Sequence, residues 1–198
     1  ELPALLALKQ GESPHANWQR SYDYLVHGDY DNTEQTFIED IYTLRPGHWF
    51  ELELERPARI TQQCWWQPDT RQHASLSFEQ ATEAVREQFL HSVELHLRSD
   101  VPLGATLSGG IDSSAIVCAM RHLQPDQPLH TFSYIAADDP RSEEPWVDRI
   151  NSYVGATAHK VVANRSELAD DLEHLISLQG EPFMSTSAYA QYRVYKLA

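Results

Sequence analysis

Leu107-Ser108-Gly109-Gly110-Ile111-Asp112-Ser113-Ser114 is the stretch that decides the fold of this chain. Before it, Leu103 to Leu107 is a short apolar run set off by Asp100 and Pro102, and it reads as a strand. After it, the apolar spacing from about Ser113 to Leu123 reads as a helix. The stretch is therefore a turn from the carboxyl end of a buried strand to a helix N-terminus, where open α/β sheets bind ligands. Its two glycines permit positive φ and close backbone approach. Free amides at the helix start favour an anion, and Ser108, Ser113 and Ser114 add hydroxyl donors. Asp112 within an anion site calls for a cation, and Mg²⁺ bridging its carboxylate to phosphate oxygens answers that need. Other phosphate loops are excluded, because the chain has neither a Gly-Lys pair nor a G-x-G-x-x-G run. A plain glycine-rich connection with a serine N-cap accounts for neither the glycine pair nor the serines flanking the acid.

Working outward, Ser77-Phe78-Glu79-Gln80 reads as a capping box. Ala81, Val85, Phe89, Val93 and Leu97 then recur every four residues on one helix face. Downstream, Leu129 to Ile135 is a strand and Glu143 to Tyr153 a helix with Gly155 as its cap. Ala158 to Ala163 is a third strand, and Glu167 to Leu178 a helix stopped by Gly180 and Pro182. A last helix from Ser185 to Ala198 starts on Ser185 or Thr186. Strands alternating with helices over short links predict an α/β fold, a parallel sheet with flanking helices.

The first part of the chain reads differently. Leu2 to Leu8 and Asn17 to Leu25 predict short helices. Arg45-Pro46-Gly47-His48 is a turn signal. Trp49 to Glu55 alternates apolar and acidic residues, as a half-buried antiparallel strand does, and Ile60 to Trp66 is its expected partner. The composition changes near residue 70, so two domains are expected, 1–70 and 71–198. Residues 1–70 look like the edge of an antiparallel α+β structure, with an unpaired sheet edge and marginal stability.

The 198 residues carry 15 Lys and Arg against 29 Asp and Glu, a net charge of −14. Such a chain has no electrostatic attraction to nucleic acid or to an anionic membrane. No apolar run is long enough to span a bilayer. Cys64 and Cys118 are too few for a disulfide framework, which fits a reducing, cytoplasmic setting. The chain opens on Glu1 and is expected to be a piece of a longer protein.

Ser108 to Ser114 resembles the pyrophosphate loop of the N-type ATP pyrophosphatases. With Arg98 to Gly104, Thr131 to Tyr134, Glu143-Glu144 through His159, and Glu181-Pro182-Phe183 through Ala198, it resembles the glutamine-hydrolysing asparagine synthetases. Leu25 to Asp29 and Leu44 to His48 resemble the closing part of that family's glutaminase domain. The resemblance implies an adenine nucleotide α-hydrolase-like sheet domain, preceded by an antiparallel α+β remnant of an N-terminal nucleophile glutaminase domain.

It also implies a reaction. Glutamine supplies ammonia, ATP activates the aspartate side chain as an adenylate with loss of pyrophosphate, and ammonia releases AMP to give asparagine. ATP and Mg²⁺ are the implied cofactors, and aspartate, ATP and glutamine or ammonia the implied small-molecule partners. Leu107 meets the nucleotide through its backbone, Ser108, Gly109, Gly110, Ile111, Asp112, Ser113 and Ser114 hold the phosphates, and Asp112 takes the metal. Tyr134 stands at the adenine-contact position, where the family more usually has a small aliphatic residue. The family's nucleophilic cysteine and its second ATP loop lie outside this stretch, so no catalytic residue is expected in it and the chain alone is expected to be inactive. A homodimer stays open, as do a β-lactam synthetase-like or lasso-peptide cyclase-like relative and a non-catalytic nucleotide-binding module.

The remaining residues draw plainer readings. Cys64 and Cys118 are expected to be packed thiols. The scattered histidines show no zinc spacing. Asp138-Asp139 and Glu143-Glu144 read as a solvated loop and helix start, and Lys160 as a surface residue. Glu181 is a weaker candidate for the substrate side. Tyr189, Tyr192 and Tyr195 read as a packed helix face.

Overall fold

The computed structural model describes residues 2–8, 13–53, 55, 60–71, 73–136, 139–140, 142–162 and 165–198. Asp138, Ala163 and Leu54, each part of a sequence reading above, lie outside the described residues. The chain divides into two compact units, Glu1–Ser75 with Gly180–Pro182, and Leu76–Gln179 with Phe183–Ala198.

The first unit contains α1 (Leu2–Leu8), α2 (Trp18–His27), β1 (His48–Trp49) and β2 (Gln63–Cys64). Helix α2 starts where Asn17 accepts from the Arg20 amide at 3.2 Å, and ends on Gly28 in the left-handed region at φ 72°. Arg20 is buried. Its guanidinium donates to Asn32 Oδ1 at 2.8 Å and to the Tyr30 carbonyl, and lies 5.8 Å from the centre of the Phe37 ring. A buried cation held by acceptors and an aromatic face is the centre of this small core.

The Arg45–His48 turn forms, with the His48 amide donating to the Arg45 carbonyl at 3.1 Å. Gly47 sits at φ 66°, and a Cβ there would stand 2.1 Å from the Trp66 carbonyl oxygen, so only glycine fits. The expected strand from Trp49 to Glu55 is not present at that length. Pairing stops after His48↔Cys64 and Trp49↔Gln63, and Glu51, Leu52 and Glu53 are exposed. Alternation makes a strand only where a partner and a core cover its apolar side, and among the described residues neither does. Cys64 is likewise exposed rather than packed.

The second unit holds α3 (Phe78–His96), β3 (Gly104–Thr106), α4 (Ile111–Leu123), β4 (His130–Ile135), α5 (Glu144–Val154), β5 (Thr157–Val162), α6 (Arg165–Gln179) and α7 (Ser187–Leu197). The capping box is complete at α3, where Ser77 Oγ accepts from the Gln80 amide and Gln80 Oε1 from the Ser77 amide. Of its four-residue stripe, Val93 is buried but Val85 is exposed, because neighbours cover the C-terminal end of the helix and not its start. The N-cap of helix α7 is Thr186, which makes no side-chain bond, and Ser185 Oγ just before it accepts from the Ser187 amide at 3.2 Å.

The three long-range strands form a parallel sheet in the order β3-β4-β5. Each parallel pair needs a crossover, and α4 and α5 are those crossovers. Leu107, Val117, Leu129, Val147 and Val154 form the core beneath them, with Cys118 packed against it as expected of that thiol. Along β4, Thr131, Ser133 and Ile135 are buried and alternate with half-buried His130, Phe132 and Tyr134. Thr131 Oγ1 donates to Asn151 Oδ1 at 2.6 Å, tying β4 to α5. Helix α7 packs across β4 and β5. Asp171 of α6 accepts from Lys196 at 2.9 Å, Tyr189 at 3.3 Å and Tyr192 at 3.4 Å. Lys196 above all, with Arg193 and Tyr189, holds its carboxyl below the usual carboxylate range. Tyr189 and Tyr192 thus pack as expected, whereas Tyr195 is exposed.

Arg121, at the end of α4, joins the two crossovers. Its Nε donates to the Val154 carbonyl at 2.7 Å, and its Nη1 to the carbonyls of Pro125 at 2.6 Å and Gln127 at 2.9 Å. Three of the carbonyls are thus served by one cation near two helix C-termini. Arg121→Met keeps the stem and removes every donor, and lowers unfolding free energy by about 1.5–3 kcal/mol. Urea midpoints at unchanged m-value measure it, and a loss under about 0.5 kcal/mol would place Arg121 among ordinary surface residues.

Candidate functional site

The loop leaves β3 at its carboxyl end. The Leu107 amide still donates to the Phe132 carbonyl at 2.9 Å while its side chain is buried in the core, so the last ladder bond anchors the loop's first residue. From there the chain turns at Gly109, φ 87°. Gly110 differs from the sequence expectation: it has φ −69° and is the N-cap of α4. Helix α4 accordingly begins at Ile111, two residues before the expected start, and Asp112 lies in its first turn. The amides of Ile111, Asp112 and Ser113 have no acceptor within the helix.

Two serines brace this turn. Ser113 Oγ accepts from the Ser108 amide at 3.3 Å, donates to the Gly110 carbonyl at 3.2 Å, and lies 3.0 Å from Ser108 Oγ. Ser108 Oγ accepts from the Gly110 amide at 3.2 Å. Ser108 and Ser113 therefore hold the loop's shape from within. Ser114 is half-buried in the helix, its amide donating to Gly110. Asp112 is exposed and, among the described residues, has no hydrogen-bond or ion-pair partner. It does not cap α4, whose N-cap makes no side-chain bond. Ile111 is 88% exposed, so an apolar side chain stands uncovered beside the acid.

Tyr134 is half-buried two residues beyond Phe132, the last residue of β4 that pairs with β3, and so comes level with the loop. An apolar groove runs beside the free edge of β3, between α3 and α4, with Ser113 among its lining residues. Glu181 belongs to the first unit, where the Tyr30 hydroxyl donates to it at 3.5 Å.

The loop's outer support is the start of α5, a helix expected from the sequence but not in this role. A Cβ on Gly109 would stand 3.1 Å from both the Glu143 carbonyl oxygen and Trp146 Cβ. Lys160 is not a free surface residue after the third strand. It lies within β5, and its Nζ donates to Glu144 Oε1 at 2.8 Å and lies 2.6 Å from Asp148 Oδ1. The signal was present: Glu144 and Asp148 are four apart and share a helix face, a pattern that asks for a cation opposite.

The donor set suits a phosphate bound with a magnesium ion. The free amides and the helix dipole match an anion, and the positive φ of Gly109 lets the backbone come close to one. No cluster of three or more His, Cys, Asp or Glu occurs among the described residues, so Asp112 offers a single carboxylate. A single carboxylate fits Mg²⁺, which takes phosphate oxygens and water around one or two protein ligands rather than an all-protein cage.

Residues 84–198 match the family model described as asparagine synthase. This chain belongs to the asparagine synthase family. It is similar to asparagine synthetase (glutamine-hydrolyzing) 3 of Bacillus subtilis, with 33% identity over 61% of the chain and 22% of that protein. Asparagine synthetase (glutamine-hydrolyzing) 2 of the same organism is 28% identical over 92% of the chain and 26% of its own length. The amidase chry2 of Gibberella zeae is 40% identical over 44% of the chain and 13% of its length. The chain thus spans about a quarter or less of these relatives. The asparagine synthase match contains the whole loop and its α5 support.

The two glycines of the asparagine synthase loop should respond differently to alanine. Gly109→Ala meets both a positive φ and contacts at 3.1 Å, and costs about 1–3 kcal/mol. Gly110→Ala has ordinary φ and meets only Ser108 Oγ at 3.3 Å, and costs less than about 1 kcal/mol. Denaturant midpoints of the pair test the ordering, and equal losses would contradict it.

Proposed function

We propose that this chain carries the ATP phosphate loop of an ATP-dependent amidotransferase, one that makes asparagine from aspartate and glutamine-derived ammonia. The observation that carries the reading is the loop itself: a turn at a strand's carboxyl end, braced by Ser108 and Ser113, with an unpartnered Asp112 at the start of α4. The asparagine synthase match over residues 84–198 supports it. Within this reading residues 71–198 are the first part of the synthetase domain. Residues 1–70 are the closing part of the glutaminase-like domain, a view supported by the relative that aligns over 92% of the chain. No helix is long and apolar enough to cross a membrane among the described residues, and a cytoplasmic setting is part of the proposal.

A carboxylate is a poor electrophile until one of its oxygens becomes a good leaving group. In the proposed reaction the aspartate oxygen attacks the α-phosphorus, pyrophosphate leaves, and ammonia then attacks the carbonyl carbon and displaces AMP. Leu107 through Gly110 orient the nucleotide along the backbone, and the amides of Ile111 to Ser113 stabilise negative charge on the departing pyrophosphate. Ser108, Ser113 and Ser114 hold that cradle in shape or add donors, and Tyr134 lines the base side. Asp112 would hold Mg²⁺, which when bound offsets the charge that grows on the leaving group.

A second reading has an observation of its own. The relative from Gibberella zeae is named an amidase and has the higher identity over its shorter match. The same loop chemistry serves amide formation on another carboxylate, so the acceptor is the point at issue between the readings.

Asp112→Asn keeps shape and removes charge. In the full-length protein, pyrophosphate release at saturating ATP and aspartate should fall on the order of 100-fold, about 2.7 kcal/mol of barrier, while ATP affinity changes far less. Ser108→Ala removes one neutral donor and costs less. Near-normal turnover by folded Asp112→Asn protein would refute the role given to the acid. Amide formed on another carboxylate and not on aspartate would favour the second reading.

A further inference from the structure

The first turn of α5 faces the loop on one side and β5 on the other. Toward the loop, the Glu143 carbonyl and Trp146 Cβ would crowd a side chain on Gly109 at 3.1 Å. The same carbonyl accepts from the Trp146 amide at 2.9 Å and the Val147 amide at 3.1 Å, so the helix start holds it in place. Toward β5, Lys160 spans Glu144 and Asp148, one helical turn apart. The Asp148 and Glu144 carboxylates raise the Lys160 ammonium above its ordinary range, so it stays charged. Two carboxylates thus stand on the element that supports an anion loop, and one cation faces both.

We propose that Lys160 is a positioning residue for the phosphate loop, which keeps the loop receptive to a nucleotide triphosphate by offsetting part of the negative charge of Glu144 and Asp148 on its α5 support. The inference deepens the ATP reading and rests on it. Without the cation, α5 carries uncompensated negative charge on the element that abuts a site built for phosphates. The repulsion would also push the first turn of α5, and with it the Glu143 carbonyl, away from its position beside Gly109.

The test is Mg²⁺-ATP affinity of the full-length protein by equilibrium dialysis, with circular dichroism as the check on folding. Lys160→Met keeps the stem and removes the charge, and should weaken ATP binding on the order of 10-fold, the scale for loss of an outer partner of ion-binding groups. Lys160→Met combined with Glu144→Gln and Asp148→Asn should recover most of the affinity, and Lys160→Arg should retain it. Unchanged affinity in Lys160→Met overturns the inference and leaves the ATP reading intact. A triple variant as weak as Lys160→Met also overturns it, because the loss is then one of packing. If Lys160→Met does not fold, Lys160→Gln, which keeps a donor without charge, decides by the same comparison. Wild-type protein that binds no ATP overturns the ATP reading and this inference together.

Discussion

The parallel pairing of β4 with strands on both sides is the constraint on which the second unit rests. His130 to Phe132 pair with Gly104 to Thr106, and His130 to Ile135 pair with Thr157 to Val162. From His130 to Phe132 the strand is paired on both edges, and parallel neighbours force a crossover at each step. Helices α4 and α5 are the result, and their shared core of Leu107, Val117, Leu129, Val147 and Val154 follows from their lying side by side. The loop inherits its place from this arrangement. It must start where β3 ends and finish where α4 begins, so its free amides collect at the carboxyl edge of the sheet.

Close approach then matters more than any single side chain. Gly109 lies so near Glu143 and Trp146 that a methyl group would crowd both. This couples the loop to α5, and Lys160 couples α5 to β5. The loop is therefore held by its own serines and by a neighbouring crossover. A rigid cradle is what electrostatic stabilisation of a leaving pyrophosphate needs, because donors that do not reorganise lose no energy at the moment of reaction. The membership in the asparagine synthase family and the shape of the loop are independent supports for the proposed activity.

The first unit is built on another principle. Its centre is a buried cation, Arg20, whose acceptors come from Asn32 and Tyr30 and whose guanidinium lies over the Phe37 ring. Its sheet is two residues long on each side, and large apolar groups such as Trp18, Leu25 and Trp65 are exposed. A few aromatic contacts and one buried arginine, whose two terminal nitrogens find acceptors, hold it, in contrast to the layered core of the second unit.

By itself the sequence determined the features that depend on neighbours in the chain. The Ser77–Gln80 box, the Gly155 and Gly180 ends, and the Gly47 turn are contests between adjacent residues, and each was legible. The strand–loop–helix order around Gly109 and Asp112 was legible for the same reason. What only the tertiary structure decided involves distant partners. Trp49 to Glu55 has the period of a strand, but its pairing depends on residues beyond Ile60, and those meet it at only two positions. Cys64 looked like a core thiol beside two tryptophans, and no layer covers it. The start of α4 moved to Ile111 because Ser113 folds back on Gly110 and Ser108, a closure no propensity contains. Lys160 found its two carboxylates only through the register of β5 beneath α5, since period and propensity say nothing about which charges meet across a crossover.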